Sequence, residues 1–170
     1  MSQPLSSNVS RTIQTKLVLP PDTNHLGTIF GGTVLSYIDE IAAITAMKHC
    51  RKVVVTASID TVNFLSAAKV GDILILEAAV ISTGNTSMEV YVKVECENLK
   101  IGERKMTTTS ILTMVATDNE GRPVKVPGVI PETIQEKALF KEAHVRKERR
   151  LKIKDAVRRN NDDSIDTNKI

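Results

Sequence analysis

Residues 24–40, Asn-His-Leu-Gly-Thr-Ile-Phe-Gly-Gly-Thr-Val-Leu-Ser-Tyr-Ile-Asp-Glu, hold the groups of this 170-residue chain with the greatest capacity for chemistry. A loop, Asn24 to Gly27, leads through Phe30-Gly31-Gly32 into a stretch with helical periodicity. A helix start carries unsatisfied N–H groups and a partial positive charge. Gly31 and Gly32 leave those amides open to close approach, which suits a polarised carbonyl or a developing oxyanion. A tight turn that needs glycine explains them equally well. Farther along stand Asp39 and Glu40. At about 100° per residue, Asp39 falls at the edge of the apolar stripe and Glu40 almost opposite it. Glu40 reads as solvent-facing, and Asp39 as a carboxylate tucked against a sheet or a partner. A partly buried carboxylate is costly unless it is paired or used, and a general base is one such use. The alternative is a structural Asp bonded to backbone or to a second chain.

Other catalytic kits are absent. The sequence has no G-x-S-x-G, no G-x-x-x-x-G-K-[ST], no H-E-x-x-H and no G-x-G-x-x-G. Only His25, His49 and His144 could serve a Ser-His-Asp triad. His144 lies in a basic tail and His49 at a helix end, which argues against one. Cys50 and Cys96 form no CxxC or CxxH pair, so no metal and no disulfide framework is expected. They read as small packing residues.

The elements that must position these residues follow from periodicity. Residues 11–19 read as a strand, stopped by Pro20-Pro21. Residues 33–48 read as a helix, with Val34, Leu35, Ile38, Ile41, Ala42 and Thr45 on one face. Four strands follow: Val53 to Phe64, Asp72 to Ser82, Thr86 to Leu99 and Glu103 to Thr117, with Gly/Asn/Asp-rich turns closing the later ones. One strand, one long helix and four strands predict an α+β fold, the helix covering one face of an antiparallel sheet. Thr133-x-x-Glu136 reads as a capping box that opens a terminal helix, fading between residues 150 and 158. The expected organisation is a mobile end over 1–10, a domain over 11–123, an extension with a basic helix over 124–158 and a disordered tail over 159–170.

Composition narrows the classes. No run approaches the roughly 18 apolar residues of a membrane span. The start, MSQPLSSNVSR, lacks a basic region followed by an apolar one, so a secretory signal is not expected and a cytoplasmic location is. Aromatic residues make up 3% with no Trp, too few for a base-stacking surface. The net charge is +3, but residues 141–159 hold nine Lys/Arg against three acids, so the remainder is slightly acidic and no nucleic-acid partner is expected.

The segment N-H-L-G-T-I-F-G-G-T-V-L-S-Y-I-D-E resembles the signature of acyl-CoA thioesterases of the brain-type and YciA-like branch. Ala57 to Leu74, A-S-I-D-T-V-N-F-L-S-A-A-K-V-G-D-I-L, is similar to that branch too. The resemblance covers about residues 11–123. It implies a hotdog fold: a long central helix wrapped by a five-stranded antiparallel sheet, here with a C-terminal helical tail. It further implies hydrolysis of a fatty acyl-CoA thioester to free acid and CoA. Asp39 matches the family's catalytic carboxylate, as general base or nucleophile, and Asn24 its second catalytic position. The Gly31 and Gly32 amides would polarise the thioester. Thr56, Ser58 or Asn63, on the first strand after the helix, would position water or the CoA arm, and His25 would shape the loop. Coenzyme A is part of the substrate and no other cofactor is implied.

The same resemblance implies homodimers with one ten-stranded sheet, gathered as trimers of dimers. Each site would take Asn24 from one chain and Asp39 from the other. CoA phosphates call for a cationic surface. The stretch Arg146 to Lys154, Lys69 and Arg122 are the candidates, against a plain solubility role for the tail. A non-catalytic acyl-CoA sensor is the rival reading. Such proteins carry a DNA-binding module ahead of the domain, and about ten residues precede the first strand here. A hotdog hydratase would need a His in an H-x-x-x-x-P-x-x-P-G-like segment, and none of the three His is so placed.

Overall fold

The computed structural model describes residues 3–166, with side chains as far as residue 159. In chain order it comprises β1 (Leu5–Ser6), a 3-10 turn at Ser7–Val9, β2 (Thr12–Leu17) and a second 3-10 turn at Pro20–Asp22. Then come α1 (Gly31–Cys50), β3 (Val53–Phe64), β4 (Ile73–Thr83), β5 (Ser87–Asn98) and β6 (Glu103–Thr117). β7 (Val129–Ile130), α2 (Ile134–Lys141) and α3 (Ala143–Asp166) complete the chain. The main sheet has five antiparallel strands in the order β2-β4-β5-β6-β3, so β2 and β3 are its edges.

Alternation along the strands gives the sheet an inner and an outer face. Met88, Val90, Val92 and Val94 of β5 point inward with Leu74, Leu76 and Val80 of β4 and Leu112 and Met114 of β6. Against them lies the apolar stripe of α1: Val34, Ile38, Ile41, Ala42 and Ala46, all at most 1% exposed. This is the antiparallel sheet wrapped about a long helix that is expected of a hotdog domain. α1 begins two residues earlier than its periodicity predicts, because the poor helix formers Gly31 and Gly32 form its first turn. It ends where Arg51 turns left-handed at φ 56° and donates its N–H to Met47 O at 2.8 Å.

Three expectations for the ends need correction. The segment 1–10, expected as a mobile end, is tied down where it is described. Leu5–Ser6 pairs in parallel with Val129–Ile130, and Ser7 and Ser10 are fully buried. Ser10 Oγ lies 3.3 Å from His49 Nδ1. The Thr133/Glu136 capping box forms, but the helix it opens breaks at Glu142 and restarts as α3. α3 runs on to Asp166 rather than fading between 150 and 158. The expected disordered tail over 159–170 is therefore helical through Asp166. Met1, Ser2 and residues 167–170 lie outside the described residues.

β3 carries two register shifts against β6, between Thr56 and Ser58 and between Ile59 and Thr61. Before the first, Val54 and Thr56 oppose Ala116 and Met114 on the inner face, while Val53 and Val55 oppose Thr117 and Val115 on the outer face. A β-bulge places an extra residue in one strand and turns the following side chains to the other face. Ser58 thus lies opposite Thr113, on the outer face.

Candidate active site

The loop before α1 is closed by Asn24. Its Oδ1 accepts from the N–H of Leu26 at 2.9 Å and of Thr28 at 3.3 Å, and its Nδ2 donates to Thr28 Oγ1 at 3.0 Å. The backbone adds Asn24 N–H to Thr28 O at 2.8 Å and Gly27 N–H to Asn24 O at 3.0 Å. Gly27 stands at φ 71°, the left-handed region such a turn requires. The Asn24 amide is thereby fixed in orientation. Thr28 was missed by sequence reasoning: Asn ahead of Gly signals the turn, but nothing local marks Thr28 as the partner of the Asn24 side chain. His25 is exposed at the loop tip, and no hydrogen bond involves its side chain among the described residues.

The loop delivers the chain to the start of α1. Phe30 caps it without a side-chain hydrogen bond, and the first helical bond runs from Val34 N–H to Phe30 O at 3.1 Å. The amides of Gly31 and Gly32 find no acceptor among the described residues. The two glycines differ. A Cβ on Gly31 would stand 3.2 Å from the Phe64 ring, whereas a Cβ on Gly32 would meet nothing within 4 Å. Gly31 serves close packing against the end of β3, and Gly32 faces open space. A cavity of about 340 Å³ adjoins this helix start, lined by Ile29, Gly31, Val34, Phe64, Leu65 and Ser66 among others. Its apolar walls suit an alkyl chain.

Asp39 is half-buried on α1, and its Oδ1 accepts from Thr56 Oγ1 at 2.6 Å. Glu40 is exposed and pairs with Lys16 at 3.4 Å. Of the three candidates on β3, the structure joins only Thr56 to Asp39. The bulge after Thr56 carries Ser58 to the outer face, where its hydroxyl donates to Asp60 Oδ1 at 2.6 Å. Asn63 opposes Thr109, which itself opposes Lys93 on the outer face. Ser58 and Asn63 are thus set on the face away from α1, and Thr56 is the one of the three alternatives beside Asp39. Within one chain Asp39 is also remote from the open amides. Seven residues of helix separate it from Gly32, about 10 Å of axial rise.

The cationic candidates separate as well. Lys69 bridges to Thr28 and so stands beside the Asn24 loop. Arg122 is engaged by Asp118 at 2.9 Å and by Glu120 at 2.6 Å in its own turn. Arg146 and Arg150, from the basic stretch, lie on the outer face: Arg146 pairs with Glu89 at 2.6 Å, and Arg150 with Glu89 at 2.5 Å and Asp60 at 2.6 Å. These two are committed to the sheet, on the side opposite α1. Among the described residues, no cluster of three or more His, Cys, Asp or Glu could hold a metal, and no helix is long and apolar enough to cross a membrane.

The thioesterase superfamily profile matches residues 26–103. The uncharacterized acyl-CoA thioester hydrolase YkhA of Bacillus subtilis is 50% identical over 127 residues, 75% of this chain and 74% of that one. The cytosolic acyl coenzyme A thioester hydrolase of Rattus norvegicus is 32% identical over 142 residues, 82% of this chain and 37% of that one. The chain thus spans little more than a third of that relative's length. Among solved structures, an apo-hexameric acyl-CoA thioesterase superposes with a TM-score of 0.86 at 63% identity, over 89% of this chain and 97% of that one. The acyl-CoA hydrolase of Staphylococcus aureus, in complex with butyryl coenzyme A, coenzyme A and coenzyme A disulfide, gives 0.83 at 44% identity, over 96% and 97%. That protein has also been solved with an asparagine, an aspartate and a threonine each changed to alanine, at positions 15 and then 17 residues apart. On these likenesses, and with the hotdog sheet and helix in place, the chain belongs to the acyl-CoA thioester hydrolases of the thioesterase superfamily.

Proposed function

We propose that the chain hydrolyses fatty acyl-CoA to free fatty acid and CoA, in sites shared between two copies of itself. The observation that carries this reading is the Asp39 carboxylate. It is held by the Thr56 hydroxyl on the inner face of an edge strand. Asn24, Asp39 and Thr56 are spaced 15 and 17 residues apart, the spacing of the three alanine variants of the Staphylococcus aureus enzyme. That agreement supports the assignment of all three.

In this mechanism the thioester carbonyl oxygen of the substrate lies against the amides of Gly31 and Gly32, whose N–H groups and helix dipole stabilise negative charge as it develops there. Asn24 Nδ2 gives one hydrogen to Thr28 and keeps a second for the thioester or the attacking water. Asp39 takes a proton from water as the water oxygen bonds to the carbonyl carbon. In the nucleophilic variant, the carboxylate attacks and water then opens the resulting anhydride. Either way the C–S bond breaks and the sulfur leaves with its electron pair, to be protonated as CoA. Thr56 orients the carboxylate.

Distance and the free edge support a shared site. One chain holds Asp39 about 10 Å along the helix from its own open amides. Gly31 packs at the Phe64 end of β3 and Asp39 near the Thr56 end. Antiparallel pairing of β3 with the β3 of a second copy carries each chain's Phe64 end toward the other's Thr56 end. β3 is suited to it, because an edge strand with half-exposed Val53, Val55, Ile59 and Phe64 invites pairing. Three such dimers would make a hexamer, the state of the apo-hexameric relative. Lys69, beside the loop, is the cation best placed to meet a CoA phosphate.

The test is thiol release from a series of acyl-CoAs, short to long, by the wild type and by Asp39→Asn. Release that peaks at one chain length, and falls roughly 10²–10⁴-fold in the variant, is expected. Unchanged release in the variant would remove Asp39 from the mechanism.

A further inference from the structure

Asp72 is a buried carboxylate that the reaction above leaves without a part. It stands just ahead of β4 and is 8% exposed. Its Oδ2 accepts from the Lys69 N–H at 2.8 Å and from the Cys96 thiol at 3.3 Å. Cys96 lies opposite Leu74 on the inner face of β5 and is itself buried. Burial, and then the carboxylate, push that thiol up to about 11, so it keeps its proton at neutral pH and donates. The backbone closes the same turn: Asp72 N–H donates to Lys69 O at 3.0 Å, and Val18 N–H to Asp72 O at 2.9 Å. Gly71 makes the reversal at φ 88° and donates its N–H to Val18 O at 3.0 Å. The turn 69–72 is thereby fixed to the core side of β5 and to the end of β2.

The loop that carries Asn24 leans on this turn. Thr28 bridges to Lys69, and Ile29 N–H donates to the O of Ala68, a fully buried residue, at 2.9 Å. Thr28 is the residue whose hydroxyl and amide hold the Asn24 side chain. At the other end of the same β3–β4 connection, Leu65 N–H donates to Thr107 O at 2.8 Å and Ser66 Oγ to Met106 O at 2.8 Å, which ties it to β6. Two groups that address the substrate, the Asn24 amide and the Lys69 ammonium, thus depend on one short connection. Asp72 anchors the end of it that runs into β4, and that anchor reaches the Lys69 amide directly.

We propose that Asp72 is a positioning residue for thioester hydrolysis: by holding the Lys69 amide it sets the place of the Asn24 amide and of the Lys69 side chain together. The proposal rests on the roles given above to Asn24 and Lys69, and Asp72 acts through these two residues rather than on the substrate. Without the carboxylate, the Lys69 amide and the Cys96 thiol lose their acceptor, and the turn is free to move away from Thr28. A displacement on the order of 1 Å at a group that orients the reacting atoms costs up to about 10²-fold in rate. The two ends of the substrate then suffer by separate routes. The thioester is affected through Asn24, which lowers kcat, and the CoA phosphates through Lys69, which raises KM.

The experiment compares two substrates, an acyl-CoA and the same acyl group on N-acetylcysteamine, a thioester without the CoA phosphates. Thiol release is measured for Asp72→Ala, Asp72→Asn and Lys69→Ala, at a temperature where melts show each protein folded. Lys69→Ala should raise KM for the acyl-CoA alone. Asp72→Ala should lower kcat by roughly 10–100-fold on both thioesters and also raise KM for the acyl-CoA several-fold. Asp72→Asn keeps an oxygen for the Lys69 amide and should recover most of that kcat. Asp72→Ser, whose hydroxyl meets the amide more weakly, takes the place of the alanine variant if the latter does not fold. A folded variant with a lowered Tm but wild-type kcat on both thioesters would overturn the proposal, since a purely structural carboxylate changes only the amount of folded chain. Asn24→Ala separates this from the parent reading. Wild-type release by Asn24→Ala overturns the role of Asn24 and the proposal with it, whereas lost release there beside wild-type kcat in Asp72→Ala overturns the positioning role alone.

Discussion

Replacing Glu136 with Gln tests how the C-terminal helices are anchored. Glu136 is 2% exposed. Burial alone would raise its pKa, but Ser7 Oγ at 2.6 Å, the Arg11 guanidinium and the amides of Glu132 and Thr133 all donate to its carboxylate. The donors win, and its pKa falls to about 2 from an ordinary 4.5. A carboxyl whose folded pKa is depressed stabilises fully above its unfolded pKa and loses that contribution as pH falls through the folded one. The difference corresponds to about 3 kcal/mol at neutral pH, falling to roughly 1 kcal/mol at pH 3. Gln keeps the size but loses the charge, and its NH₂ cannot accept from the donors that face it. Urea unfolding at fixed protein concentration, at pH 7 and pH 3, is the assay. The account expects a deficit of about 3 kcal/mol for Glu136→Gln at pH 7 that narrows by about 2 kcal/mol at pH 3. Equal stability at pH 7, or a deficit that does not narrow in acid, would refute the reasoning.

Three further sets of substitutions separate packing from chemistry. Gly31→Ala pushes a methyl toward the Phe64 ring at 3.2 Å and should lower Tm by a few degrees, whereas Gly32→Ala should leave Tm unchanged and reduce thiol release by obstructing the substrate; thermal melts beside the activity assay distinguish them. Lys69→Ala should raise KM for acyl-CoA several-fold while Arg122→Ala, already engaged by two acids, and Arg146→Met, on the outer face, should not; steady-state kinetics read the difference. Thr56→Ala should lower kcat by roughly tenfold through loss of one hydrogen bond to a charged group, with Tm nearly unchanged.

Much of the fold was legible because its signals are local. The helical stripe of Val34, Ile38, Ile41 and Ala42 and the four later strands stand close to where period and turn chemistry put them. Gly102 at φ 69°, between β5 and β6, is one such turn. What was hidden depends on distant partners. Nothing in Leu5-Ser6 announces Val129-Ile130, more than a hundred residues away. Arg146 and Arg150 read as part of a basic run, for CoA phosphates or for solubility, until Glu89 and Asp60 are seen beneath them. In the candidate site, Asp39 and the two glycines stand out by type and spacing, and Asn24 only through the family resemblance. The choice of Thr56 over Ser58 does not, because it turns on a bulge that no glycine marks.

The most direct measurement mixes two inactive proteins, Asn24→Ala and Asp39→Asn, under conditions where exchange of chains is confirmed by a size tag. If each site takes Asn24 from one copy and Asp39 from the other, a mixed dimer holds one intact site and one doubly defective site. With random assortment, half of the dimers are mixed, so thiol release should recover to about a quarter of the wild-type rate. If the mixed dimers form and no activity returns, the sites do not cross the dimer seam and the central claim fails.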